Sequence, residues 1–281
     1  MNYRHAFHAG NFADVFKHAI LVRVLMHLRE KETAFRVIDT HAGAGRYDLT
    51  SEEAQRTGEW RGGIGRLLPS SLDDQTSLHL RAYLQLVQAL NAPGEITAYP
   101  GSPLVAAAVA RPQDRLQFCE LHPEERLKLE EHLGGDRRVR ISNVDGWDAL
   151  KAFLPPPERR GLVLVDPPFE EQGEFDRIEH GLAEAYRRWA TGIYMFWYPV
   201  KDTRETETFA RRLARLGIGK ILRAELAIGP VSTTGALSAC GVVVVNPPWK
   251  LESELSQMLP ALADRLGSGA TRQYRLDWLA R

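Results

Sequence analysis

"LVLVDPPFEEQ", residues 162–172, begins as a run of aliphatic and β-branched residues and stops at an acid, two prolines and an aromatic. An unbroken apolar run of this length marks a strand buried on both faces, as in parallel sheets covered by helices. Proline gives no donor to a sheet ladder and fixes its own φ. The Pro167–Pro168 pair therefore turns the chain out of the sheet in one stiff direction and restrains Asp166 before it. "VVVVNPPWKLE", residues 242–252, repeats the pattern. Taken alone, either tetrapeptide serves equally well as a plain strand terminator, so their neighbours must decide which of them carries chemistry.

Working outward, similar buried runs predict strands at 35–40, 115–121, 138–144, 161–166, 192–199, 220–228 and 241–246, mostly separated by amphipathic helices such as 176–190 and 204–216. That alternation predicts an α/β protein with a mostly parallel sheet covered on both faces. The last pair departs from it. "GPVSTTGALSAC", residues 229–240, is rich in Gly, Ser and Thr and lacks helical periodicity, so the strands it joins should form an antiparallel hairpin. The final strand then runs against the others and carries its Asn-Pro-Pro-Trp to the opposite edge, about 15–20 Å away. Asn246 is accordingly expected to be structural.

The 281 residues, 44% hydrophobic and 26% charged, suit one large domain or one domain with an insertion. No stretch is long and apolar enough to span a bilayer, and the amino terminus does not read as a targeting peptide, so a cytoplasmic location is expected. A monomer is expected. Basic and acidic residues number 36 each, so a polyanionic partner would have to meet a local basic patch. Cys119 and Cys240 fall in or beside core strands and read as packing residues. The histidines of "HAFH" and "HPEERLKLEEH" lack companions at metal-ligand spacing, and no metal is expected.

The chemistry-bearing residues gather at strand ends. "DTHAGAGRY" follows the first strand, and Gly43 and Gly45 permit a tight turn and close backbone approach to a ligand. Glu120 ends the second strand, where a carboxylate can accept both hydroxyls of a ribose. Asp145 ends the third strand and Asp166 the fourth. All four sites lie on the carboxyl edge of one parallel sheet, the edge at which open α/β folds bind ligands. Asp166 and the Pro167 carbonyl can accept the hydrogens of an exocyclic amine on a nucleobase, while Phe169 can stack on the base. In nucleotide-binding sheets the ribose acid follows the glycine turn by about 20 residues, yet Gly43 and Glu120 lie 77 positions apart. Residues 49–97, with a helix near 75–91, are therefore expected to form a helical insertion in a main domain made of 1–48 and 98–281. Ser102 in "YPGSPLVAAAVA" is placed at the N-cap of the following helix, with Pro103 in its first turn.

"DTHAGAG", "ELHP", "NVDGW" and "DPPFE", in this order, resemble the class I S-adenosylmethionine-dependent amino-methyltransferases. With "YRHAFHAGNFADVFKH" and "YPGSP", the chain resembles over essentially its whole length the RlmJ-type 23S ribosomal RNA adenine methyltransferases. The resemblance implies a Rossmann-like class I fold and the transfer of one methyl group from S-adenosyl-L-methionine to the N6 amine of an adenine in large-subunit rRNA. It implies Asp166 as the catalytic acceptor, with Phe169 where many relatives carry Tyr. It places Lys17, His18, His41, Ser102, Glu120, Asp145 and Gly146 on cofactor-binding positions and Tyr3 on a position that meets the RNA. Periodicity alone reads Lys17 and His18 as the solvated face of a helix capped by Asn11 with Asp14 three residues on, and His41 as a hydrogen-bonded loop residue. Arg4, Arg56, Arg61 and Arg66 around Trp60, and Arg211, Arg212 and Arg215, are candidate RNA contacts, and the insertion is preferred to the helix. The competing readings keep the chemistry with DNA adenine or a protein amide as acceptor, or keep the fold as a non-catalytic RNA-binding protein.

Overall fold

The computed structural model describes residues 4–69, 74–267 and 273–281, with the backbone alone for 74–77. Its strands in chain order are β1 (Arg36–Asp39), β2 (Arg46–Asp48), β3 (Ala98–Pro100), β4 (Arg115–Cys119), β5 (Val139–Ser142), β6 (Gly161–Val165), β7 (Ile193–Pro199), β8 (Ile221–Ala227), β9 (Ala239–Val245) and β10 (Gln273–Ala280). Eight of them form one sheet in the order β10-β8-β9-β7-β6-β1-β4-β5. The pairs of β1 with β4 and β6, of β4 with β5, and of β6 with β7 are parallel, so their carboxyl ends reach the same edge. Every residue of β6 and β9 is buried, as their apolar runs require.

The helices are α1 (Phe12–Arg29), α2 (Glu52–Thr57), α3 (Glu59–Gly62), α4 (Ile64–Leu67), α5 (Asp74–Gln88), α6 (Ser102–Val109), α7 (Pro123–Leu133), α8 (Gly146–Ala152), α9 (Glu174–Arg188), α10 (Thr203–Ala214) and α11 (Leu251–Leu266). On one side of the sheet α1 packs against α5, α6 and α11 as well as β6 and β9. The other side buries Ile178, Leu182 and Ala185 of α9 and Phe209 and Leu213 of α10 against β6, β7 and β9. Strands β2 and β3 pair antiparallel where the chain leaves for, and returns from, the stretch expected as a helical insertion. That stretch holds α2 to α5, and its Ala54, Ile64, Leu67, Leu80, Tyr83 and Val87 are buried in the same apolar cluster as α1.

Three expectations need correction. β9 is antiparallel to both β7 and β8, as the hairpin required, but it is not the last strand. β10 follows and pairs antiparallel with β8, covering that edge. Its residues are half-buried at most, so the burial alternation is weak. Gly101, not Ser102, caps α6, and Ser102 is its first residue with Pro103 next. A proline tolerated in the first turn does not discriminate between these two starts. Finally, Lys17 and His18 are not solvated: they are 4% and 1% exposed. α1 is enclosed by helices and sheet, so helical period assigns it no wet face.

Candidate active site

At the carboxyl edge a cavity of about 850 Å³ is lined by Lys17, His18, His41, Gly43, Ser102, Glu120, Asp145, Gly146, Asp166, Pro167 and Phe169, among others. Of the cofactor-binding residues expected there, Gly45 stays off the lining. Its φ of +77° and its carbonyl, which accepts from Gly101 N at 2.8 Å, fix the turn, and a Cβ would meet Leu129 Cδ1 at 2.8 Å. Arg4 also stays off the lining and bridges Glu124 of α7 at 3.1 Å and Glu53 of α2 at 3.8 Å. Tyr3 lies outside the described residues.

The two Pro-Pro motifs separate as topology demands. Val165 pairs with Phe196, and Asp166 follows at the cavity. Val245 pairs with Tyr194 and Ile221, at the start of β7 and β8, so Asn246 emerges at the other edge, about 20 Å along the seven residues of β9. There its Nδ2 donates to the carbonyls of Ala190 and Gly192 at 2.9 and 2.7 Å, which ties down the loop before β7. Phe169 and Asn246 share the left-handed conformation, with φ of +52° and +51°. Asn tolerates it, whereas for a bulky aromatic it is an outlier that the surroundings must enforce. Phe175 and Trp197 do so for Phe169, edge-on with centroids at 5.2 and 5.9 Å.

Asp166 Oδ2 accepts a hydrogen bond from Lys17 Nζ at 2.5 Å, and the same ammonium donates to Asp14 Oδ1 at 2.9 Å. Asp14 Oδ2 in turn accepts from Gly10 N at 2.9 Å and meets His5 Nε2 at 2.8 Å. Burial works against charge on both groups. The flanking carboxylates nonetheless hold the Lys17 ammonium above its ordinary range, and the charges of His5 and Lys17 hold Asp14 well below the usual carboxylate value. Asn11 caps α1, accepting from Ala13 N and Asp14 N, and sets this row of charges in register with Asp166.

On the other side of the cavity Glu120 accepts from Gly43 N and His122 N, both at 2.7 Å. Burial raises its pKa, and these two amides oppose the shift. Asp145 caps α8, accepting from Trp147 N at 2.8 Å, and Gly146 lies so close to the first loop that a Cβ would meet His41 Cε1 at 2.5 Å. Burial lowers the His41 pKa to about 4 and that of His18 to about 3, so both rings are neutral. His18 Nδ1 meets Tyr99 Oη at 2.8 Å, and its buried Nε2 has no partner. That orphaned atom, with the excess of carboxylates over cations on the lining, fits a ligand that is polar and partly cationic. Among the described residues no group of His, Cys, Asp and Glu is arranged to hold a metal, and no helix is long and apolar enough to cross a membrane.

Asp39, at the end of β1, accepts from Ser102 Oγ at 2.6 Å and from His41 N at 3.2 Å. Burial raises its pKa to about 7, with Asp166 adding to the effect and the two hydrogen bonds opposing it. The unfolded chain ionises this carboxyl near pH 4, so the native state holds the extra proton between pH 4 and 7. Its stabilising contribution is complete below pH 4 and is lost as pH rises through 7. Asp39→Asn removes that term. In urea titrations at pH 4.5 and pH 8, its stability relative to the native protein should rise with pH by a margin on the order of a few kcal/mol. A pH-independent difference would contradict the assignment.

Sequence reasoning did not single out His5, Asp14, Trp197, Lys201 or residues 235–237, all of which line the cavity. Trp197 and Lys201 had a legible signal, since they sit at or just past the end of β7, the next parallel strand. The β8–β9 connection is the hairpin its composition predicts, but nothing in that composition says that residues 235–237 reach the cavity.

The sheet order, with β9 antiparallel between β7 and β8, defines the fold of the class I methyltransferases. The same fold appears in the crystal structure of a probable spermidine synthase from Corynebacterium glutamicum, at a TM-score of 0.50 and 14% identity over 92% of this chain and 74% of that one. The chain belongs to the family described as ribosomal RNA large subunit methyltransferase D, RlmJ, which matches residues 32–280. It is 44% identical over 279 residues, 99% of each chain, to ribosomal RNA large subunit methyltransferase J of Escherichia coli K12. A crystal structure of a protein from Legionella pneumophila superposes at a TM-score of 0.88 with 35% identity, over 96% of this chain and 98% of that one.

Proposed function

We propose that this ribosomal RNA large-subunit methyltransferase takes its methyl group from S-adenosyl-L-methionine and places it once on the exocyclic N6 of an adenine. The observation that carries the reading is the Asp166 carboxylate, fixed by Lys17 at 2.5 Å beside Phe169 in a cavity whose far side holds Glu120. An exocyclic amine is a poor nucleophile because its lone pair is delocalised into the ring. Asp166 and the Pro167 carbonyl accept its two hydrogens, localise the pair and orient it toward the cofactor end. Phe169 stacks on the flipped base, its ring held edge-on against Phe175 and Trp197. The S-adenosylmethionine, when bound, supplies an electrophilic methyl on its sulfonium.

Glu120 and Gly43 suit the ribose of that cofactor, Asp145 and Gly146 its adenine end, and Ser102, His18, His41 and Lys17 its amino-acid end. One methyl per adenine follows from the two acceptors: the product keeps a single N–H, so a second transfer lacks half of the orienting contacts. Nucleotide-resolved mapping of rRNA from cells with and without the gene tests the reading. One adenine of the large subunit should lose its N6-methyl group without the gene and regain it with the native copy. An unchanged large-subunit map, with methyl groups missing from DNA or protein instead, would reassign the acceptor.

A further inference from the structure

Nine carboxylates line the cavity against three cations, Lys17, Arg177 and Lys201. That balance suits a sulfonium cofactor and opposes a polyanionic acceptor. Two of the cations are already committed: Lys17 to Asp14 and Asp166, and Arg177 to Glu171 and Glu174. Lys201 alone of the three has no acid partner among the described residues, and it is exposed. Its neighbour Asp202 makes no ion pair with it among the described residues; that carboxylate caps α10 and accepts from Arg204 N at 2.8 Å. Arg204 is itself exposed and without an acid partner among the described residues. The turn from β7 into α10 thus carries two cations without an acid partner among the described residues, Lys201 at the bend and Arg204 in the first turn of α10. It lies just past the end of β7, on the side of the cavity formed by Trp197, Pro199, Phe169 and residues 235–237.

We infer that Lys201 is the phosphate contact for the RNA backbone beside the nucleotide whose base enters the Phe169 pocket, with Arg204 adding to the local field. The inference rests on the reading that the acceptor is RNA, and it adds the side from which the strand arrives. A flipped base brings its flanking phosphates to the rim of the pocket. At this rim Glu170 and Glu171 repel them, and Lys201 is the uncommitted cation of the lining. A lysine serves this task as a mobile point charge that fixes the backbone without reading sequence.

The test is filter binding of deproteinised large-subunit rRNA over a potassium chloride series, together with steady-state methylation and calorimetry with S-adenosylmethionine. Lys201→Gln should raise Kd and KM for rRNA about five- to tenfold and reduce the log Kd against log salt slope by about 0.7, one phosphate on a single strand. At saturating RNA its kcat should stay within about twofold, and cofactor affinity should not change. Lys201→Arg should restore most of the loss. Arg187→Gln, which removes an exposed cation paired with Glu184, should leave the slope alone. A native slope in Lys201→Gln would overturn the inference, as would an equal slope loss in Arg187→Gln or a fall in kcat at unchanged KM. If the native protein methylates and binds no RNA, the proposed function falls and this inference with it. Failure of the Lys201 variants alone leaves the proposed function standing.

Discussion

Replacing Asp166 with alanine is expected to lower methyl transfer by about 10³-fold or more, in a protein that stays folded. The carboxylate is only partly buried, at a ligand edge, and Lys17 keeps Asp14 as a partner when Asp166 is gone. The loss therefore falls on the acceptor that orients the amine far more than on the core. Single-turnover transfer from labelled S-adenosylmethionine measures it, with urea midpoints as the check on folding. Asn246→Ala is the matched comparison, since its motif carries nearly the same letters. It loses two hydrogen bonds to Ala190 and Gly192 and leaves alanine at a φ of +51°. That should cost about 1–3 kcal/mol of stability while activity stays within a few-fold. A folded Asp166→Ala enzyme with native turnover, beside an inactive Asn246→Ala, would place the site at the wrong edge of the sheet.

Lys17→Met should do damage of both kinds. Lys17 is 4% exposed and its ammonium stands between two carboxylates, one of which, Asp14, is almost wholly buried. Removing one partner of a buried ion pair leaves an uncompensated charge, which costs about 3–5 kcal/mol. His5 retains part of the Asp14 charge at 2.8 Å, which favours the lower end of that range. Asp166 meanwhile loses the contact that fixes its orientation, so turnover should fall by at least about 10²-fold even where the variant is folded. Denaturant unfolding and the same single-turnover assay report the two effects separately. Native stability and native turnover in Lys17→Met would show that the row of charges from His5 to Asp166 is incidental.

The contrast between Asp166 and Lys17 also explains what the sequence could yield. Asp166, Glu120 and Asp145 were legible as cavity-lining residues because a parallel sheet collects its strand ends at one edge: Asp166 and Glu120 directly follow β6 and β4, and Asp145 lies three residues past β5. The placement of Asn246 was found by the same logic, since a Gly-, Ser- and Thr-rich connection implies an antiparallel return. Lys17 and His18 failed that reasoning for a physical cause. Helical period separates a wet face from a dry one only when a helix has both, and α1 is covered by α5, α6, α11 and the sheet. Their placement in the site came from the resemblance of "YRHAFHAGNFADVFKH", and burial then showed why two polar residues are tolerated there: one sits between carboxylates, the other is neutral and bonded to Tyr99. β10 was missed because its half-exposed residues offer neither an apolar run nor a clean alternation. Ser102 was displaced by one position because local sequence left the start of α6 open. Its contact with Asp39 is long-range and has no local signature.

The most direct test of the central claim is incubation of the purified protein with radiolabelled S-adenosylmethionine and, in parallel, deproteinised large-subunit rRNA, small-subunit rRNA and genomic DNA. Nuclease digestion and mass spectrometry then identify the labelled nucleoside. Label in N6-methyladenosine from large-subunit rRNA alone, without the dimethylated form and absent with Asp166→Ala, is the predicted result. Label chiefly in DNA, on cytosine or on protein would contradict it, as would no label anywhere with the cofactor demonstrably bound.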